Sequence, residues 1–135
     1  DSRKIVGEYS LTAKDVTSQA KFHDSIGIFP EFLDGYNTLL IPTTGRFFQV
    51  PLRCLLPKNI DNLIVGGRCI SGDNISHAAM RNMMACCVSG QGAGVAAAIS
   101  VKHKKKIKET NIIDIQDELR KQNVTVFTPH FKSKF

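Results

Sequence analysis

The chain has 135 residues, of which 42% are hydrophobic and 22% charged, and a formal net charge of +6, enough for about one ordinary domain with a core of its own. With a mean hydropathy of −0.10, that mix excludes a disordered tail, a collagen-like repeat and a polytopic membrane protein. Five of the positive charges are Lys102, Lys104, Lys105, Lys106 and Lys108, so the basic character is one local patch.

In chain order, Arg3 to Leu11 carry Ile5, Val6, Tyr9 and Leu11 among polar neighbours and read as a strand broken by Gly7. Thr12-Ala13-Lys14-Asp15 then signals the start of a short helix, with Thr12 as N-cap and an acidic side chain three positions on. Residues 26–57 are punctuated by Gly27, Pro30, Gly35, Pro42, Gly45, Pro51 and Pro57, which predicts a run of short strands and turns, the best of them Phe47 to Val50. Leu63-Ile64-Val65 is a short apolar run of the kind buried on both faces of a parallel sheet, and it ends at Gly66-Gly67-Arg68. A polar loop from Ser71 to Ser76 follows. Met83 to Val101 contain no charge across nineteen residues and predict a long buried helix, closed by cationic residues where its dipole favours them. So apolar a helix needs cover on nearly every side. An amphipathic helix over Ile115 to Gln122 comes last, with Ile115, Leu119 and Val124 as its apolar contacts, before a loose or docked tail.

Within the long helix, Gly90, Gly92 and Gly94 fall within five residues, and each glycine costs a helix about 1 kcal/mol relative to alanine. Close packing must recover that cost, against either a neighbouring element or a bound cofactor. The same run meets the length rule for a membrane span and contains a GxxxG. Ser89, Gln91, Ser100 and the scarcity of strongly insertion-driving residues argue against that reading, and no membrane partner is expected. The Gly90 to Gly94 run lacks the spacing and the strand-to-helix context of a dinucleotide fingerprint. The strand end, glycine turn and helix start together form a crevice suited to an anionic or electron-accepting ligand, because a helix N-terminus offers unpaired N–H groups. Arg68 and Arg81 would add fixed positive charge there; surface ion pairing is the alternative role for each.

Cys54, Cys69, Cys86 and Cys87 show no CxxC spacing and no metal-ligand pattern, so free thiols in a reducing compartment and no metal site are expected. Nothing at the start reads as a secretory signal, and an opening Asp-Ser-Arg-Lys without Met reads as a piece of something longer or a processed product. An intracellular, cytoplasmic location is therefore expected. The ending Ser133-Lys134-Phe135 resembles a degenerate peroxisomal signal or is a chance match in a lysine-rich tail. The lysine patch has no interleaved aromatics and no nucleic-acid motif, so it reads as a solvated helix end with no nucleic-acid partner.

The residues from Val50 to Ser100 resemble a known pattern. They run Val-Pro-Leu-Arg-Cys-Leu-Leu-Pro-Lys, then Asn-Ile-Asp-Asn-Leu-Ile-Val-Gly-Gly-Arg-Cys-Ile-Ser, then Ser-His-Ala-Ala-Met-Arg, then Gly-Gln-Gly-Ala-Gly-Val-Ala-Ala-Ala. This order is similar to the C-terminal part of the FAD-dependent oxidoreductase family, whose FAD domain is of the glutathione-reductase type and related to fumarate reductase flavoproteins. The opening Ser2 to Tyr9, with Leu11-Thr12 and Asp15-Val16, looks like that family's entry to the substrate domain, so the resemblance covers about residues 1 to 123.

The resemblance implies an α/β chain: part of a substrate domain in residues 1–50, the closing strand and helix of a Rossmann-like FAD domain in 51–104, and a C-terminal helix and tail in 105–135. It implies FAD as cofactor and hydride transfer between flavin and a small organic substrate. Gly66, Gly67, Arg68 and Cys69 would approach the ribityl and phosphate part, and Arg81, Asn82, Met83 and Met84 would lead into a helix whose N-terminal amides face the pyrimidine end of the ring. Reduced flavin gathers negative charge at that end, which such amides stabilise. His77 lies at a matching position near the turn, facing flavin or substrate, or serving as a packing histidine. No catalytic acid or base is identified. Many members carry proline where this chain has Met84. The GxGxxG unit that holds the ADP half is not among these residues, so an incomplete fragment of a two-domain flavoprotein is expected, inactive alone and completed by the N-terminal portion of the same protein or by self-association. The competing reading is a non-catalytic fragment or small basic scaffold whose apolar helix packs on a partner subunit.

Overall fold

A computed structural model describes residues 3–35, 37–43 and 45–128 of the chain. Helix α1 (Ala13–Thr17) begins where the sequence places it, closed by a capping box in which the Thr12 side chain accepts from the Asp15 N–H and the Asp15 carboxylate accepts from the Thr12 N–H. The turn-rich segment forms two antiparallel pairs: β1 (Ser25–Pro30) with β4 (Phe47–Pro51), and the hairpin of β2 (Leu33–Gly35) with β3 (Thr38–Leu40). In the first pair Phe29 faces Phe48, their rings edge-on at 6.1 Å. Phe48, Ile26, Val50, Leu11, Val16, Leu55 and Met80 are fully buried and form the centre of the core.

Three helices follow: α2 (Asn74–Met80), α3 (Met83–His103) and α4 (Ile112–Lys121). The uncharged run is helical as expected and packs on β1 and α4. It ends at Lys104, which takes a left-handed φ of 53° and donates its N–H to Ser100 and Val101. Lys102, Lys104 and Lys105 are exposed, as expected of a solvated helix end, while Lys106 reaches Asp61 and Lys108 reaches Glu8. Helix α4 starts three residues earlier than the sequence reading placed it, at an Asn111 cap, and buries Ile115 and Leu119. Its Gln116 amide donates to the carbonyls of His23 (2.8 Å) and Ser25 (3.0 Å), stitching α4 to the start of β1. Beyond α4, Val126 is buried and accepts from the Ser25 hydroxyl, so this part of the tail is docked. Ser133-Lys134-Phe135 lies outside the described residues.

Four expectations are corrected. Residues 3–11 form no strand: they thread between two non-strand segments, making only isolated bridges, Gly7 to Pro57 and Leu11 to Gly72. Ile5 donates to Cys69, Glu8 to Leu56 and Leu11 to Ser71, one or two bonds per neighbour where a ladder needs a continuous edge. Leu63-Ile64-Val65 is likewise unpaired as a strand. Its Val65 N–H bonds the Leu55 carbonyl at 3.0 Å, Leu63 is 41% exposed, and among the described residues no strand runs beside it. The supposed polar loop before Arg81 is in part α2, opened by Asp73, whose side chain accepts from the Ser76 N–H. Finally, α3 is covered on one face: Ala85, Ser89, Gly92, Val95, Ala96, Ile99 and Ser100 are buried, whereas Met84, Cys87, Gly94, Ala98 and Val101 are exposed. Among the described residues its main cover comes from β1, α4 and the glycine turn.

Asp73 joins two helices. One carboxylate oxygen accepts from the Ser76 N–H at 2.7 Å and the other from the Ala13 N–H at 2.7 Å, so a single charge caps α2 and α1 together. Burial alone would raise its pKa, but the N–H groups of Ser76 and Ala13 outweigh it and hold the carboxyl below the usual 3.8. A folded pKa below the unfolded one means stabilisation that is full above the unfolded value and lost as pH falls through the folded one. Asp73→Asn is expected to lose about 1 kcal/mol at neutral pH, a deficit that shrinks as the medium is acidified below about pH 4, measured by urea unfolding across the acid range.

Candidate functional site

The glycine turn is seated directly on α3. A Cβ at Gly66 would stand 3.0 Å from the Cα and 3.2 Å from the N of Gly90, and 3.3 Å from the carbonyl oxygen of Ser89, so backbone touches backbone there. Gly67 has φ +82°, a left-handed conformation that favours glycine, with no atom within 4 Å of where a Cβ would lie. Its N–H donates to the Ser89 hydroxyl at 2.8 Å, and that hydroxyl in turn donates to the carbonyls of Ala85 and Cys86 one turn back. The turn Gly67–Cys69 is a 3-10 segment, and the half-buried Cys69 thiol donates to the Gly66 carbonyl.

From this turn the contacts run through α2 to the start of α3. The Arg68 Nε donates to the Arg81 carbonyl at 3.1 Å. The His77 Nε2 lies 3.2 Å from the Arg68 carbonyl; a carbonyl only accepts, so in the neutral ring Nε2 carries the hydrogen and Nδ1 is left as an acceptor. Burial lowers the His77 pKa below 6.5 and the charges of Lys4 and Arg81 lower it further, against the bond to Arg68, so the ring is neutral at neutral pH. The Arg81 guanidinium donates to the Asp34 carbonyl at 2.6 Å, tying β2 to the helix start.

Asn82 occupies the N-cap of α3 without capping it. Its amide Nδ2 is turned back to the carbonyls of Ala78 (3.2 Å) and Ala79 (2.8 Å) at the end of α2, and among the described residues no side chain accepts from the first turn of α3. The amides of Met83, Met84 and Ala85 are thus the orphan donors that every helix start presents, with the positive end of the helix dipole behind them. Met83 and Met84 are 77% and 71% exposed. They form one wall of a groove of about 460 Å³, with Asn82 and Val88. Ile28, Phe29 and Pro30 of β1, with Phe32 and Pro42, form the other.

The structure therefore brings Gly66, Gly67, Arg68, Cys69, His77, Arg81 and Asn82 into one chain of contacts, and sets Met83 and Met84 beside it on a groove. Sequence reasoning missed the Ser89 hydroxyl that holds Gly67, although Ser89 stood out as a polar residue of the uncharged run. It also missed the β1 wall, which no local signal could have linked to α3. The arrangement suits a flat, electron-accepting ligand that gathers negative charge at the edge facing the helix start.

The four cysteines are free thiols. Burial pushes the Cys54 thiol up to about 12, keeping it protonated and inert, whereas Cys87 is exposed. A maleimide added to the folded protein is expected to label Cys87 and to leave Cys54 unlabelled until denaturant is added, read by peptide mass spectrometry.

Among protein families, the model described as FAD dependent oxidoreductase matches residues 1–119. No curated protein matches the chain, and no solved structure does.

Proposed function

The chain belongs to the FAD-dependent oxidoreductase family, and from that premise we propose that it supplies the C-terminal part of the flavin site of an enzyme that moves a hydride between FAD and a small organic substrate. The observation that carries this reading is the uncapped start of α3 beside the Gly66-Gly67 turn, with the Asn82 amide spent on α2 instead. The residues present fit this part of a flavin: N–H donors without side-chain acceptors among the described residues, and a glycine with open space where a side chain would stand. Residues 1–50 would then belong to the substrate domain, 51–104 to the FAD domain and 105–135 to a closing helix and tail.

When bound, FAD supplies the two-electron chemistry. The amides of Met83, Met84 and Ala85 would hold the negative charge of the reduced ring, and favouring the reduced form raises its potential. Gly66 lets the turn meet α3 at backbone distance, and the Ser89 hydroxyl fixes the Gly67 amide. Arg68 and Arg81 keep two positive charges along this edge. His77, neutral and with Nδ1 as acceptor, can take up a proton from a group placed against it.

The test uses the protein that contains this chain, purified and incubated with FAD, then freed of unbound cofactor. Retention of about one FAD per chain, identified after denaturation, is expected; a colourless protein after loading contradicts the proposal.

A further inference from the structure

We propose that the groove between β1 and the start of α3 binds the substrate, and that this substrate is a neutral, largely apolar organic molecule. The inference rests on the flavin-dependent reading above and names the substrate class for that site. At about 460 Å³ the groove has the size of a small-molecule pocket. Among the described residues no charged side chain lines it. Its one polar side chain, Asn82, has its Nδ2 committed to the carbonyls of Ala78 and Ala79.

A carboxylate or phosphate entering between Phe29, Phe32 and Met84 would give up its hydration to walls that return no counter-charge and almost no hydrogen bond. A neutral molecule loses nothing of that kind and covers apolar surface now left in water, where Met83 and Met84 are 77% and 71% exposed. Two unbranched thioethers can also reshape to an irregular ligand. The cations of the neighbourhood, Arg68 and Arg81, line no part of the groove. The amide donors at the start of α3 are the ones assigned to the flavin. The groove thus adjoins the redox group while offering its own occupant almost only apolar contact.

The experiment titrates the protein with Nile red, a neutral apolar probe, and then displaces it. One saturable site per chain is expected, emptied by 2-naphthalenemethanol and not by 2-naphthoate at the same concentration. A charge in the apolar wall, Phe32→Asp or Met84→Glu, is expected to weaken the probe about tenfold or more, whereas Val101→Glu, at the far end of α3, leaves it unchanged. Met84 is solvent-exposed, so its variant reports even where Phe32→Asp disturbs packing.

Equal displacement by the naphthoate overturns the proposal, as does probe binding that neither wall variant changes. A dimer in sedimentation that Met84→Glu dissociates would assign the groove to a second copy and overturn it too. FAD content is measured in parallel. Loss of FAD from folded Phe32→Asp makes the groove the flavin's own seat and overturns the substrate assignment, while FAD retained alongside lost probe binding supports it. If the unaltered protein binds the probe as expected but holds no FAD, the apolar site stands and the oxidoreductase reading falls.

Discussion

Gly66→Val is expected to destabilise the protein by about 2–3 kcal/mol and to strip it of flavin. The Cβ alone would come within 3.0–3.3 Å of three backbone atoms of Ser89 and Gly90, and α3 cannot bend away as a side chain could. Relief therefore moves the whole turn off the helix. That movement pulls the Gly67 N–H from the Ser89 hydroxyl, now at 2.8 Å, and takes Arg68 from its place against the Arg81 carbonyl. Urea midpoints and retained FAD are the readouts. Gly67→Ala is the control: it meets no atom within 4 Å and carries only the strain of φ +82°, roughly 1–2 kcal/mol. A Gly66→Val protein with unchanged midpoint and full flavin would show that the turn does not depend on that contact.

The second large effect lies in α3, where Gly92 is buried and Gly90 and Gly94 are exposed, so that the same substitution differs in sign between them. A Cβ at Gly92 would stand 2.4 Å from the Cδ1 and 3.0 Å from the Cβ of Ile26, and Ile26 is fully buried in β1. Gly92→Ala is expected to cost about 1–3 kcal/mol, since its helix-propensity gain is overrun by overpacking. Gly90 and Gly94 meet nothing within 4 Å, so in the protein as this chain alone Gly94→Ala gains up to about 1 kcal/mol. Thermal or urea unfolding of the two variants checks the opposite signs. The pair also separates the two causes of close packing that the sequence left open: Gly92 is required by a strand, whereas Gly94 is not required by anything among the described residues.

Elements governed by local chemistry were legible. The Thr12 to Asp15 capping box, the strand at Phe47 and the uncharged run of α3 each announce themselves within a few residues, by hydrogen-bond geometry or by hydropathy. Elements decided by neighbours were not. Leu63-Ile64-Val65 has the composition of a buried strand, but pairing needs a partner edge, and the described residues place none beside it. The helix α2 was hidden because Asp73, Asn74 and Ser76 favour turns as much as caps, and only the seating of Ala78, Ala79 and Met80 in the core decides for a helix.

The candidate site divides the same way. Gly66 to Arg68 and Arg81 to Met84 were readable as a motif, and the structure joins them through Ser89, Arg68 and His77. That Asn82 would turn its amide away from α3 could not be read, because an asparagine at a helix start ordinarily caps it. Nor could the groove, whose β1 wall lies more than fifty residues from Met84 in sequence.

Backbone amide shifts, compared between the FAD-free and FAD-loaded protein, test most directly where the flavin lies. The largest changes are predicted at Gly67, Arg68, Met83 and Met84, the turn and the uncapped first turn of α3. Changes that leave these four in place and gather elsewhere, for example at Lys102 to Lys105, would contradict a flavin site at the start of α3.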